Sequence, residues 1–188
     1  MPRLSMDFNL ADSGVTEALG QALARSLPGA VTEGAAVGTR AERATAAVSG
    51  GAVVYLRGEL GAGKTTCVRS LLRALGVTGL VRSPTYALVE TYSLDGLTCV
   101  HVDLYRLQTL TEVDELGLRD LVGPGHLLLV EWPERGGAAV PPADLDLVLQ
   151  YADDGRQACL RAATPLGSQW LENLGRDSSL SSYVSNLT

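Results

Sequence analysis

Between Asp12 and Leu27 the apolar positions Val15, Leu19, Ala22, Leu23 and Leu27 recur at helical spacing, and Asp12 or Ser13 stands ahead of them as a candidate N-cap. This predicts a first amphipathic helix. AVVYLR (52–57) is a short β-branched run that stops at a glycine. After the loop comes TTCVRSLLRALG, whose Val68, Leu71, Leu72 and Leu75 share one face, so strand, glycine loop and helix follow in direct succession. YALVETY (86–92) and TCVHVDLY (98–105) flank SLDGL, where Asp95-Gly96 predicts the turn of an antiparallel hairpin. TEVDELGLRDLV reads as one or two short helices capped at Thr111, and HLLLVEW as a buried strand ending in Glu131. DLDLVLQY and RQACLRA, joined around Asp153-Asp154-Gly155, predict a second hairpin, and SQWLENL a last short helix.

Two segments break this pattern. Residues 29–51 are rich in Gly, Ala and Thr and read as an insertion or mobile connection with one short helix at 39–48. The serine-rich end from Asp177 is expected to fray. At 188 residues, with no internal repeat, the chain predicts one domain over 1–176.

Composition narrows the class. Hydrophobic residues make up 46% and charged residues 19%. No apolar run approaches the roughly 18 residues needed to span a bilayer, which predicts a soluble protein. The first twenty residues lack the apolar stretch and cleavage site of a secretory signal, so a cytoplasmic location is expected. Cys67, Cys99 and Cys159 are odd in number, far apart and set in apolar runs, as expected for reduced core thiols. A net charge of −6 argues against a large basic surface, so any service to RNA is expected to pass through a partner.

The chemistry concentrates at GELGAGKTT (58–66), which contains the only lysine of the chain beside fourteen arginines elsewhere. Gly58 through Gly63, Lys64 and Thr65 match the phosphate-binding P-loop pattern, with the required strand before and helix after. Glycines let the backbone turn its N–H groups inward around phosphates, and the helix points its positive end at them. Lys64 supplies a compact charge for the β- and γ-phosphates where a planar guanidinium would not fit, and Thr65 offers a hydroxyl to Mg²⁺. The plainer alternative is a glycine loop that only turns a strand into a helix.

Such a site also needs an acid at the end of a neighbouring strand. Glu131 and Asp103 are the candidates, each with an ordinary surface carboxylate as its alternative. His101 alternates with Asp103 and so points to the same side, as either a packing or a hydrogen-bonding group, while His126 reads as structural. Arg106 and Arg135 follow the two acids and are read either as phosphate neutralisers or as partners in solvated salt bridges. Trp132 could cover a nucleotide, face a partner or sit in the core. Tyr86, Tyr92 and Tyr105 are expected mostly in the core.

Read together, these segments resemble the TsaE (YjeE) family, the ATPase of bacterial tRNA threonylcarbamoyladenosine biosynthesis. The resemblance runs from about Asp12 to Arg161. It rests on T-x-x-L-G at Thr16 to Gly20, GELGAGKTT, V-R-S-P-T-Y at 81–86, H-V-D-L-Y-R-L at 101–107, E-L-G-L at 115–118 and V-E-W-P-E-R at 130–135. It implies an α/β, P-loop NTPase-like three-layer fold with a mixed, partly antiparallel sheet. It also implies a protein that binds and slowly hydrolyses ATP with Mg²⁺, and that acts with TsaD and TsaB on adenosine 37 of tRNAs reading codons that begin with A. Transfer of the threonylcarbamoyl group itself would belong to TsaD, and tRNA would be met through the complex.

Position by position, the resemblance carries the phosphate and nucleotide contacts to Gly61, Ala62, Gly63, Lys64, Thr65 and Thr66. Thr65 and Glu131 match the Mg²⁺ residues, and Asp103 matches a carboxylate needed for activity. Ser83, Pro84 and Thr85 match a loop near the γ-phosphate, and Trp132 the aromatic beside the Mg²⁺ glutamate. Ser13 and Thr16 match residues near the adenine, with Arg156 also approaching the nucleotide.

Three other readings compete. A small-molecule kinase would need an arginine-rich lid, but beyond Arg106 the segment between the hairpin and Glu131 offers only Arg119. A GTP switch would need an Asn-Lys-x-Asp guanine reader, which a chain without a second lysine lacks in its usual form. A non-enzymatic partner protein on the same fold is compatible with the sequence.

Overall fold

The computed structural model describes residues 4–28 and 50–187. The strands are β1 (Ser5–Leu10), β2 (Ala52–Arg57), β3 (Val89–Leu94), β4 (Leu97–Asp103), β5 (His126–Glu131), β6 (Leu145–Ala152), β7 (Gly155–Ala162) and β8 (Val184–Leu187). They form one sheet in the order β3-β4-β5-β2-β6-β7-β1-β8. Its centre is parallel, with β4 on β5, β5 on β2 and β2 on β6. The flanks are antiparallel, through the β3–β4 and β6–β7 hairpins and the pairings of β1 with β7 and β8.

Helices cover both faces. On one lie α1 (Ser13–Ser26), α2 (Lys64–Leu75) and α4 (Pro165–Gly175), whose Leu19, Leu72 and Trp170 bury against Phe8, Leu56 and Leu147 of the sheet. The Trp170 indole N–H donates to the Leu23 carbonyl at 2.9 Å and ties α4 to α1. α1 and α2 cross closely at Gly20, where any side chain would run into the carbonyl oxygen of Cys67. The other face carries a smaller core, in which Val113 of α3 (Leu110–Asp114) and Leu118 pack on Val100, Val102, Leu128 and Val130. These three layers and the mixed sheet are the α/β architecture expected from the sequence.

Several expectations change. SMDFNL forms β1, with Met6, Phe8 and Leu10 buried, where no strand was expected. The tail does not fray at Asp177. That residue caps a short turn of helix at Ser178–Leu180 and bonds Arg25 at 2.9 Å, Leu180 is buried, and β8 pairs with β1. α3 is capped by Thr109 and not Thr111, because Thr109 and Glu112 close a reciprocal capping box. Tyr86 is 83% exposed with Arg106 stacked 3.9 Å from its ring centre, so it is no core residue. The connection expected over 29–51, with its helix at 39–48, lies outside the described residues apart from Gly50 and Gly51. Among the described residues no helix is long and apolar enough to cross a membrane. All three cysteines are free thiols, and burial pushes those of Cys67 and Cys99 up to about 12.

Candidate functional site

The site forms where parallel strands end together. β2 runs out at Arg57, the chain turns through 58–63, and α2 starts at Lys64 from a Gly63 N-cap in the left-handed region at φ 108°. A residue with a side chain would be strained there, which is why a glycine precedes the helix. Beside β2, β5 ends at Glu131, and beside β5, β4 ends at Asp103, with Asp103 and Glu131 as register partners. Strand order thus sets two buried carboxylates side by side over the start of α2.

Their hydrogen bonds separate them. Oε1 of Glu131 accepts the Thr65 hydroxyl at 2.9 Å and lies 2.9 Å from Nε2 of His101. Oδ2 of Asp103 accepts from Thr85 at 2.7 Å and Ser83 at 3.0 Å, while Oδ1 accepts the Tyr105 N–H at 3.0 Å. Glu131 therefore faces the P-loop helix, and Asp103 faces the hydroxyl loop at 83–85.

Lys64 is 4% exposed. Its ammonium donates to the carbonyls of Gly58 at 2.6 Å and Glu59 at 2.9 Å and sits 4.0 Å from the centre of the Trp132 ring. Burial draws its pKa below the ordinary lysine value, against the opposing pull of Glu131, Asp103 and Glu134. Trp132 itself is held at φ 59°, and its ring meets Tyr105 at 4.9 Å between centres.

A cavity of about 160 Å³ opens among these groups. Its walls include Gly61, Gly63, Lys64, Thr65, Thr66, Ser83, Thr85, Asp103, Glu131 and Trp132, together with Leu60 and Tyr105. Ala62 is buried outside the lining, with its N–H on the Glu59 carbonyl. Thr16 is buried beside Gly63 with its hydroxyl on the Asp12 carbonyl, and Ser13 is exposed at the start of α1, so neither lines the cavity. Arg156 lies behind the loop, donating to the Gly61 carbonyl at 3.3 Å.

Sequence reasoning left His101 undecided and did not single out Tyr151. His101 is fully buried, and Tyr151 donates its hydroxyl to the Leu60 carbonyl at 3.0 Å from the β6–β7 hairpin. The signal for His101 lay in its alternation with Asp103; none marked Tyr151. Arg106 and Arg135 form no ion pair among the described residues, and Arg135 lies over the rings of Tyr105 and Trp132. His126 bonds the Pro124 carbonyl, a local structural role.

Chemically, the cavity offers one ammonium, hydroxyls and two carboxylates. Among the described residues no group of three or more His, Cys, Asp or Glu side chains could hold a metal ion on its own. A hydroxyl beside a single available carboxylate instead suits an ion that keeps most of its waters and borrows phosphate oxygens, as Mg²⁺ does. The second oxygen of Glu131 has no protein partner among the described residues, which leaves an acceptor for a metal-bound water.

Comparison with known proteins agrees with this arrangement. The model of the family "Threonylcarbamoyl adenosine biosynthesis protein TsaE" matches residues 11–158. Similar proteins include the tRNA threonylcarbamoyladenosine biosynthesis protein TsaE of Haemophilus influenzae, 45% identical over 115 residues, which cover 61% of this chain and 73% of that one. The Bacillus subtilis protein of the same name is 33% identical over 132 residues, 70% of this chain and 82% of its own. The crystal structure of Bacillus subtilis YdiB superposes with a TM-score of 0.68 at 24% identity, over 94% of this chain and 97% of that one, a likeness of fold. With a P-loop, two strand-end acids and a family match that spans all of them, the chain belongs to the TsaE family of tRNA threonylcarbamoyladenosine biosynthesis proteins.

Proposed function

We propose that this protein binds ATP with Mg²⁺ in the cavity and hydrolyses it slowly, in the cytoplasm, in support of the TsaD and TsaB pair that modifies adenosine 37 of tRNAs reading ANN codons. The observation that carries the reading is the Thr65–Glu131 contact at the start of α2, with Lys64 beside it. In a P-loop enzyme the hydroxyl and the strand-end carboxylate share the metal shell.

Each residue then has a task. The amides of Gly61 and 63–66 at the start of α2 would receive the phosphates, while Ala62 keeps its N–H on Glu59, and Lys64 would exchange its carbonyl partners for β- and γ-phosphate oxygens. Thr65 and Glu131 would hold Mg²⁺, which when bound neutralises charge on those oxygens. Asp103 would orient the attacking water through Oδ1, which accepts only the Tyr105 N–H, while Ser83 and Thr85 hold Oδ2. Trp132 would close the cavity beside Lys64. Arg156 and Thr16 would act on the nucleotide through the loop they support, and Ser13 from the rim.

A kinase reading gains nothing from the segment between β4 and β5, where Arg119 donates to the Ala138 carbonyl. The test is reconstitution. Modified tRNA should accumulate over repeated cycles only when this chain, TsaD, TsaB and ATP are all present, and Lys64→Ala should abolish that accumulation. Undiminished cycling with Lys64→Ala would reject the reading, and stoichiometric phosphorylation of a metabolite would favour the kinase.

A further inference from the structure

Among the buried polar and charged side chains of the described residues, His101 is the ionisable one that the proposed chemistry leaves without a task. It sits on β4 two residues before Asp103, on the same side of the sheet, and reaches across to β5. A carboxylate only accepts hydrogen bonds, so at 2.9 Å it is Nε2–H that donates to Oε1 of Glu131. Nδ1 has no partner. A buried nitrogen left unpaired costs stability, and an apolar residue would fill the same space without that cost. The position therefore retains a polar group whose only hydrogen bond among the described residues is to Glu131.

Geometry explains what that bond does. Asp103 and Glu131 are register partners on adjacent strands, so the Ser83 and Thr85 hydroxyls that Asp103 holds are the neighbouring donors that compete with Thr65 for Glu131. Thr65 and His101 grip the same oxygen, Oε1, from two sides and leave the other oxygen free. We infer that His101 is a positioning residue that fixes the Glu131 carboxylate on the Thr65 side of the site, so that its free oxygen is presented to the Mg²⁺ shell. It touches neither nucleotide nor metal. Outer-shell donors of this kind typically set metal affinity by about 10-fold to 100-fold.

The inference rests on the Mg²⁺–nucleotide reading, and its tests separate the two. Glutamine can place an amide N–H near the position of imidazole Nε2, whereas asparagine is one methylene too short; both are polar and smaller than or similar to histidine. The Mg²⁺ midpoint for ADP binding is measured by calorimetry for wild type, His101→Gln and His101→Asn, alongside ADP affinity without Mg²⁺. His101→Asn should raise the midpoint about 10-fold, His101→Gln should stay within about 3-fold of wild type, and metal-free ADP affinity should be unchanged in both. Equal midpoints for all three proteins, or equal losses in both variants, would overturn the role. A fall in metal-free ADP affinity as large as the Mg²⁺ effect would do the same, since it would mark a general structural defect.

A second measurement needs no variant at the site. In wild-type protein, long-range ¹H–¹⁵N spectra of the two histidines, assigned with His126→Gln, should show His101 protonated at Nε2 and bare at Nδ1. The opposite tautomer would overturn the inference whether or not the variants fold. If wild-type protein binds ADP with no dependence on Mg²⁺, the metal reading fails, while the tautomer still reports whether His101 holds Glu131.

Discussion

Replacing Asp103 by asparagine should separate stability from turnover. Asp103 is 3% exposed and accepts three hydrogen bonds, from Ser83, Thr85 and the Tyr105 N–H. Each is about 1 kcal/mol stronger for having an ionised acceptor, so losing the charge costs roughly 3 kcal/mol. Opposing this is Glu131, its register partner one strand away. With strands about 4.8 Å apart, two carboxylates about 5 Å from each other at an effective dielectric near 20 repel by roughly 3 kcal/mol. Asn keeps an acceptor for Tyr105, and its amide can donate to hydroxyls that are free to rotate. The two effects nearly cancel, so urea melts of Asp103→Asn should lie within about 1 kcal/mol of wild type. Single-turnover hydrolysis should fall by at least roughly 100-fold, with affinity for a non-hydrolysable ATP analogue within about 3-fold. Wild-type turnover would refute the water-orienting role. A stability loss above about 3 kcal/mol would refute the balance of charges, and make Asp103 chiefly a structural anchor for the 83–85 loop.

Other outcomes follow from the same structure. With burial pushing their thiols up to about 12, Cys67 and Cys99 should label with iodoacetamide at pH 8 about 1,000-fold more slowly than an ordinary thiol near 9, while mass spectrometry finds half-buried Cys159 labelled first; rapid labelling of Cys67 would contradict the packing of α2 on the sheet. Burial raises the Asp177 pKa, but the Ser179 and Arg25 hydrogen bonds outweigh it and leave the carboxyl below its ordinary 3.8. Its contribution is therefore present above that value and lost as pH falls through the lower folded one. Protection of the β8 amides relative to their intrinsic exchange rate should fall below about pH 3.8 in wild type and already at pH 7 in Asp177→Asn; equal protection in both at pH 7 would show that Asp177 does not anchor the tail.

Much of the site was legible because its signals are local. The P-loop announces itself through glycine spacing and a single lysine, and the buried run HLLLV delivers Glu131 to a strand end. The hairpins were readable from Asp-Gly turns. What the chain does not write locally is strand order, so the register that sets Asp103 against Glu131, and His101 diagonal to it, became visible only in three dimensions. Tyr151 is likewise far in sequence from the loop it bonds. β1 did carry a period-two signal in Met6, Phe8 and Leu10, but its strand is completed by β7, which lies about 150 residues later. The capping box at Thr109 was also readable, since Glu112 stands three residues on. β8 was hidden by the serine-rich stretch that leads into it, whose polarity imitates a frayed end while Leu180 and Asp177 hold the segment in place.

The central claim, that the cavity bounded by Lys64, Thr65 and Glu131 is a Mg²⁺–ATP site, is tested most directly by calorimetric titration of the chain with a non-hydrolysable ATP analogue, with and without Mg²⁺. One saturable site that tightens with Mg²⁺ in wild type, and that Lys64→Ala abolishes, is the predicted result. No binding heat in wild type, or binding indifferent to both Mg²⁺ and Lys64→Ala, would contradict it.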